Sequence, residues 1–80
     1  MKLPRDLSGS ELAVALAKLG YRVTRQTGSH MRLTIEVGGE HQATIPDHAT
    51  LKVGTLNAIL REVSAHHGIT RDELLSLLFD

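Results

Sequence analysis

The sequence predicts an α+β fold: one helix, a three-stranded antiparallel sheet, a second helix and a short C-terminal helix. The spacing of apolar residues changes from helical to alternating after Gly20, and it returns to helical after Pro46. Glycine-containing turns at 27–29 and 38–39 divide the alternating segment into three strands. Such a meander has to cover its apolar face, and the two longer helices are the segments able to do so, packing together on one face of the sheet.

The first helix is marked at both ends. Ser8 and Glu11 have the spacing of a capping box, in which each side chain satisfies a free backbone donor of the other residue. Leucines then recur on one face, at Leu12, Leu16 and Leu19. Gly20 is expected to end the helix in the C′ position.

The strands are read from their alternation. Residues 21–26 form the first strand, with Tyr21 and Val23 pointing the same way. In the second strand, 30–37, one face is apolar: Met31, Leu33, Ile35 and Val37. The other face is polar: His30, Arg32, Thr34 and Glu36. His30 is therefore predicted to lie in solvent next to Arg32. The third strand runs from about His41 to Ile45.

Two helices follow the sheet. The longer one is predicted to begin at Thr55 and to end at Gly68, with apolar residues on one face: Leu56, Ile59, Leu60 and Val63. Thr70 and Glu73 form a second capping box, which opens the short terminal helix.

The composition sets limits on the function. Eighty residues suit a single domain, 1–80, with one core. The absence of cysteine excludes disulfides and thiol redox chemistry, and no apolar run approaches the ~20 residues of a membrane span. A cytoplasmic location is expected. Nine basic and nine acidic residues balance overall, but residues 12–35 carry four cations and no carboxylate, which favours a local phosphate-binding face.

His30 is the leading candidate for chemistry on a phosphate. An imidazole that titrates near neutral pH can take the proton from a ribose 2′-hydroxyl and return it, which requires no metal or other cofactor. Gly28 and Ser29 shape the turn before it, and the candidate phosphate contacts are Arg25, Arg32 and Lys52. The plainer alternative is a surface histidine at a hairpin turn.

The other histidines give weaker signals. His48 is the candidate second proton carrier, whereas His41, His66 and His67 are interpreted as having no role. Histidine spacing matches no zinc pattern, so no metal site is predicted. The only aromatic residues are Tyr21 and Phe79, which excludes a platform of aromatics that stack on bases.

Three stretches of the chain resemble the HicA (YcfA-like) toxins of toxin–antitoxin pairs: residues 8–21, residues 25–30 with Gly28-Ser29-His30, and residues 44–60. The resemblance implies a fold like a double-stranded RNA-binding domain and an endoribonuclease that cleaves mRNA and stops growth. It implies that His30 is the catalytic histidine. It also implies a HicB antitoxin that covers the active surface. A non-catalytic module that binds RNA or protein is the alternative.

Overall fold

The computed structural model describes residues 4 and 6–80, and it has the predicted order of elements. These are α1 (Gly9–Ala17), β1 (Arg22–Thr27), β2 (His30–Ile35), β3 (His41–Pro46), α2 (Val53–His67) and α3 (Arg71–Phe79). The strands form one antiparallel sheet in the order β1-β2-β3, so β2 is central and β1 and β3 are edges. The predicted α+β architecture is confirmed.

The core lies between one face of the sheet and the helices. The sheet contributes Met31, Leu33, Ile35, Ala43 and Ile45. The most deeply buried residues of the helices are Leu12, Leu16, Leu60, Val63, Leu74, Leu75 and Leu78. Because three of these leucines belong to α3, the last helix is part of the core. The opposite face of the sheet remains exposed, and it carries His30 and Arg32, as predicted.

Both predicted capping boxes are present. The Ser8 hydroxyl accepts a hydrogen bond from the Glu11 amide at 3.0 Å, and the Glu11 carboxylate accepts one from the Ser8 amide at 3.0 Å. Thr70 and Glu73 form the same pair of bonds at the start of α3. Each cap stabilises its helix by about 1 kcal/mol.

The structure departs from the predicted boundaries in two helices. α1 ends at Ala17, and Gly20, with φ of +111°, closes the turn that follows rather than occupying the C′ position. α2 begins at Val53, before the predicted Thr55, and Lys52 is its N-cap. The Lys52 side chain makes no capping hydrogen bond, and lysine is not a typical N-cap residue. No residue pattern therefore indicated that α2 begins here.

The predicted alternation fails at three positions of the predicted strands. Val23 is 48% exposed although its partner across β1 and β2 is the buried Leu33, and it lies on the edge strand β1, where the pairing shifts between Val23 and Arg25 as a bulge does. Val37 is 70% exposed because β2 has already ended at Ile35. Thr34 is buried, and its hydroxyl lies 2.8 Å from that of Thr24.

The start of α1 lies directly against the end of β3. The Gly9 amide donates to the His48 carbonyl at 3.0 Å, and the Leu51 amide donates to the Leu7 carbonyl at 2.8 Å. A Cβ atom at Gly9 would overlap the carbonyl oxygen of Pro46. This close approach of two backbones therefore requires glycine.

A cluster of one tyrosine and three histidines lies at the other end of β3. The Tyr21 hydroxyl is 2.7 Å from Nδ1 of His41 and 3.3 Å from Nε2 of His67. The His66 ring stacks on His41, with centroids 4.7 Å apart. We call these four residues the histidine–tyrosine cluster. It joins α2 to the sheet, so the three histidines interpreted as having no role pack together.

Burial shifts the pKa values of Tyr21, His41 and His67. It raises the pKa of Tyr21 to about 12. Desolvation, followed by the nearby charge of His66, lowers the pKa of both His41 and His67. Glu62 opposes the shift at His41 without reversing it.

Replacing Gly9 by alanine is expected to destabilise the chain by about 1–3 kcal/mol, because the added methyl group has to displace the Pro46 backbone. Gly54, in the first turn of α2, is the matched control. Apart from its chain neighbours and the backbone of its own helix, nothing lies within 4 Å of the position of its Cβ, so Gly54→Ala is expected to stabilise by about 0.5 kcal/mol. Urea unfolding of the two variants measures both changes. A Gly9→Ala variant as stable as the wild type would contradict the close approach.

Acid is expected to destabilise the fold through the histidine–tyrosine cluster. Because the folded-state pKa values of His41 and His67 are lowered, the unfolded chain takes up more protons than the folded one. The free energy of unfolding should therefore be highest above the ordinary histidine pKa of about 6.5 and fall as the pH drops below it. Urea titrations across this range measure the fall.

The double variant His41→Asn, His67→Gln tests the origin of this pH dependence. Its amides can occupy the positions of the two ring nitrogens that face Tyr21, and they do not titrate. The fall in stability should be smaller in this variant and unchanged in His48→Asn, which lies outside the cluster. An equal fall in the wild type and the double variant would assign the acid sensitivity to other groups.

Candidate functional site

His30 is held at the start of the central strand. Its neighbours in the sheet are Thr27 on β1 and Pro46 at the end of β3. The Gly28-Ser29 turn precedes it, and Gly28 has φ of +55°, which a residue with a Cβ rarely adopts. Because Met31 and Leu33 point into the core, period-two alternation directs His30 to the open face.

Two arginines lie beside His30 on this face. Arg25 and Arg32 are partners across β1 and β2. With Thr27, His30 and Thr44 they line a depression of about 260 Å³, which we call the basic pocket. Among the described residues, no carboxylate lines it. Guanidinium groups bind phosphate oxygens in a planar, two-pronged geometry, so the pocket suits a phosphate.

A wider groove opens on the other side of His30. It has a volume of about 630 Å³ and runs between the edge strand β3 and helix α2, and we call it the β3–α2 groove. His30 and Thr44 line both the groove and the basic pocket. The groove is also lined by the apolar side chains of Pro46 and Ile59, and Glu62 is the carboxylate in its lining. An extended ligand that occupied both depressions would therefore pass beside His30.

The remaining predicted site residues are less closely grouped. Lys52 precedes α2, and the described linings of the basic pocket and of the groove do not include it. His48 is exposed in the loop after β3, and it too is absent from both linings. Ser29 is exposed, and its carbonyl accepts a hydrogen bond from the Asp47 amide at 2.6 Å. The structure thus brings Arg25 and Arg32 to His30, but neither Lys52 nor His48.

Asp47 is the residue that reasoning from the sequence missed. One carboxylate oxygen accepts a hydrogen bond from the Ser10 hydroxyl at 3.2 Å, and the other accepts one from the Gln26 side-chain amide at 3.3 Å. These partners belong to α1 and β1. No local pattern could have revealed contacts between segments so far apart in the chain.

The described residues limit other kinds of site. In residues 4 and 6–80, no group of three or more His, Asp or Glu side chains is placed to hold a metal ion. Over the same residues, none of the helices combines the length and the apolar character that a membrane crossing needs.

Among the comparisons with known proteins, one gives a match, and it is to a family model. No curated protein and no solved structure matches the chain significantly. The family model described as the HicA toxin of bacterial toxin–antitoxin systems matches residues 9–64. The matched region includes the Gly28-Ser29-His30 turn, the whole sheet and most of α2, whereas α3 lies beyond it. Since this region is well over half of the chain, the protein belongs to the HicA toxin family, whose members act within bacterial toxin–antitoxin systems.

Proposed function

We propose that this toxin is an endoribonuclease that cleaves mRNA, with His30 as its catalytic acid–base group, and that a HicB-type antitoxin neutralises it. The observation that carries the proposal is the position of His30. Its exposed imidazole lies at the junction of the basic pocket and the β3–α2 groove. Membership of a toxin family supports the same function.

The chemistry follows from this arrangement. With the phosphate of one nucleotide link in the basic pocket, the neutral His30 imidazole takes the proton from the adjacent 2′-hydroxyl. The 2′-oxygen attacks phosphorus and forms a bond to it, and the bond from phosphorus to the 5′-oxygen breaks. The products are a 2′,3′-cyclic phosphate and a 5′-hydroxyl. The guanidinium groups of Arg25 and Arg32 stabilise the extra negative charge that develops on the phosphate oxygens.

The leaving 5′-oxygen has to gain a proton in the same step. His48 is the proposed second proton carrier, because it lies shortly after Pro46, the β3 neighbour of His30. Its side chain would have to turn toward the groove once RNA is bound. Water is the alternative source, and it requires no such movement.

RNA binding would depend on charge and shape. The chain has no net charge, so attraction is confined to the face that carries Arg25 and Arg32. Lys52, at the start of α2, is the proposed contact for a neighbouring phosphate. Gly28 and Ser29 present backbone groups beside the pocket. Among the described residues, no Phe, Tyr or Trp side chain lines either depression, so base stacking on such side chains contributes little.

The alternative function is a module that binds RNA without cutting it. The same open face would serve it, because phosphate binding by Arg25 and Arg32 does not require a proton transfer. The imidazole at the junction of the two depressions favours the enzyme. The two functions differ in what happens to bound RNA, so one experiment distinguishes them.

Replacing His30 by alanine is expected to lower the rate of RNA cleavage by about 10²-fold or more, since proton transfer by a positioned group contributes about that much. The fold should survive because the side chain is exposed. Cleavage of purified RNA and circular dichroism are measured on the same samples. Glu40→Ala, in the exposed loop between β2 and β3, is the control and should cleave normally.

Two results would contradict the proposal. A folded His30→Ala variant that cleaves at the wild-type rate would remove His30 from the mechanism. A wild-type chain that binds RNA and leaves it intact would support the non-catalytic module instead.

A further inference from the structure

We propose that Asp47 is a positioning residue that fixes the Gly28-Ser29 turn and so directs the His30 imidazole toward the scissile phosphate. The proposal rests on the ribonuclease function proposed above. It concerns a contact network of Asp47 with α1, β1 and the β1–β2 turn, which we call the Asp47 clasp.

The turn before His30 has little packing of its own. Apart from Thr27, Gly28 and Ser29 themselves, no atom lies within 4 Å of the position that a Cβ of Gly28 would occupy, and Ser29 is exposed. A turn at the end of a sheet, with no side chain packed on it, takes its orientation from hydrogen bonds. His30 directly follows it, so any change in the turn moves the imidazole.

Asp47 supplies these hydrogen bonds from three directions. Its amide donates to the Ser29 carbonyl at 2.6 Å, which extends the β2–β3 pairing one step beyond His30 and Pro46. Its carboxylate accepts from Gln26 on β1 at 3.3 Å and from Ser10 on α1 at 3.2 Å. The clasp thus joins β1, the turn and α1 around the start of β2.

The clasp lies on the opposite face of the sheet from the proposed reaction. Pro46 is the partner of His30 in the sheet, so the two side chains point to the same side, which is the open face. Because successive residues of a strand point to opposite faces, Asp47 points away from that side. Gln26 is the partner of the buried Met31, which places it on the same face as Asp47. Asp47 therefore acts through the backbone and not on RNA.

The loop that carries Asp47 is itself fixed. The Gly9 amide donates to the His48 carbonyl at 3.0 Å, and the absence of a Cβ at Gly9 lets the Pro46 carbonyl approach α1. The backbone of the loop is thus held in place, and from it the Asp47 carboxylate bonds to Ser10 and Gln26. Because the loop backbone is held in place, the small, exposed side chain of Asp47 can hold the turn before His30 in place.

The test compares Asp47→Ala with Asp47→Asn in RNA cleavage. The alanine variant loses both carboxylate bonds, and kcat should fall by about ten- to a hundred-fold, as expected when a reacting group is displaced by about 1 Å. KM should stay the same or fall, because a negative charge has been removed. The asparagine side chain can accept a hydrogen bond from the Ser10 hydroxyl and donate one to the side-chain oxygen of Gln26, so it should restore kcat. Glu40→Ala is the control for loss of an exposed carboxylate.

A second variant guards against simple unfolding. Ser10→Ala combined with Gln26→Ala cuts both arms of the clasp and leaves Asp47 in place. It should reproduce the loss in kcat of Asp47→Ala, and thermal unfolding measured beside it shows whether the fold is intact. Wild-type kcat in either folded variant would overturn the proposal. An Asp47→Asn variant as slow as Asp47→Ala would also overturn it, since the negative charge itself would then be required.

Backbone dynamics separate this proposal from the ribonuclease function. The ¹⁵N heteronuclear NOE of the Ser29 and His30 amides should fall in Asp47→Ala and recover in Asp47→Asn. If the wild type cleaves no RNA, the proposed function fails, and these NOE values alone decide whether the clasp holds the turn. Unchanged NOE values in Asp47→Ala would overturn the clasp whatever the RNA results.

Discussion

The close approach of α1 to the end of β3 is the constraint on which the candidate site depends. Gly9 leaves room for the Pro46 carbonyl, and its amide bonds to the His48 carbonyl. This contact fixes the strand end that pairs with His30 and the loop that carries Asp47. The position of one exposed imidazole is therefore determined by backbone packing on the far side of the sheet.

The buried face of the sheet stabilises the fold, whereas the exposed face carries the candidate site residues. Met31, Leu33 and Ile45 are buried among the helices, whereas His30, Arg32 and Thr44 alternate with them and stay exposed. The same period-two pattern that builds the core thus assembles the polar face. A change on the open face costs little packing, which leaves that face able to carry charged residues for a ligand.

Local patterns in the sequence were enough for the framework. Capping boxes at Ser8 and Thr70, the alternation around His30 and the stop at Gly68 depend on residues close together in the chain, and all are present in the structure. The bulge after Val23 and the burial of Thr34 were not predictable, since they depend on pairing between strands. Asp47 and the histidine–tyrosine cluster were missed for the same reason, because their contacts join distant segments.

The chemistry of the RNA ends is the most direct test of the proposed mechanism. Purified wild-type chain is incubated with RNA and a metal chelator, with His30→Ala as the control for contaminating nucleases, and the products are analysed by mass spectrometry. Attack by the 2′-oxygen predicts 2′,3′-cyclic phosphate and 5′-hydroxyl ends, and no cleavage where the 2′-oxygen is methylated. Products with 3′-hydroxyl and 5′-phosphate ends, or cleavage of methylated RNA, would contradict the account.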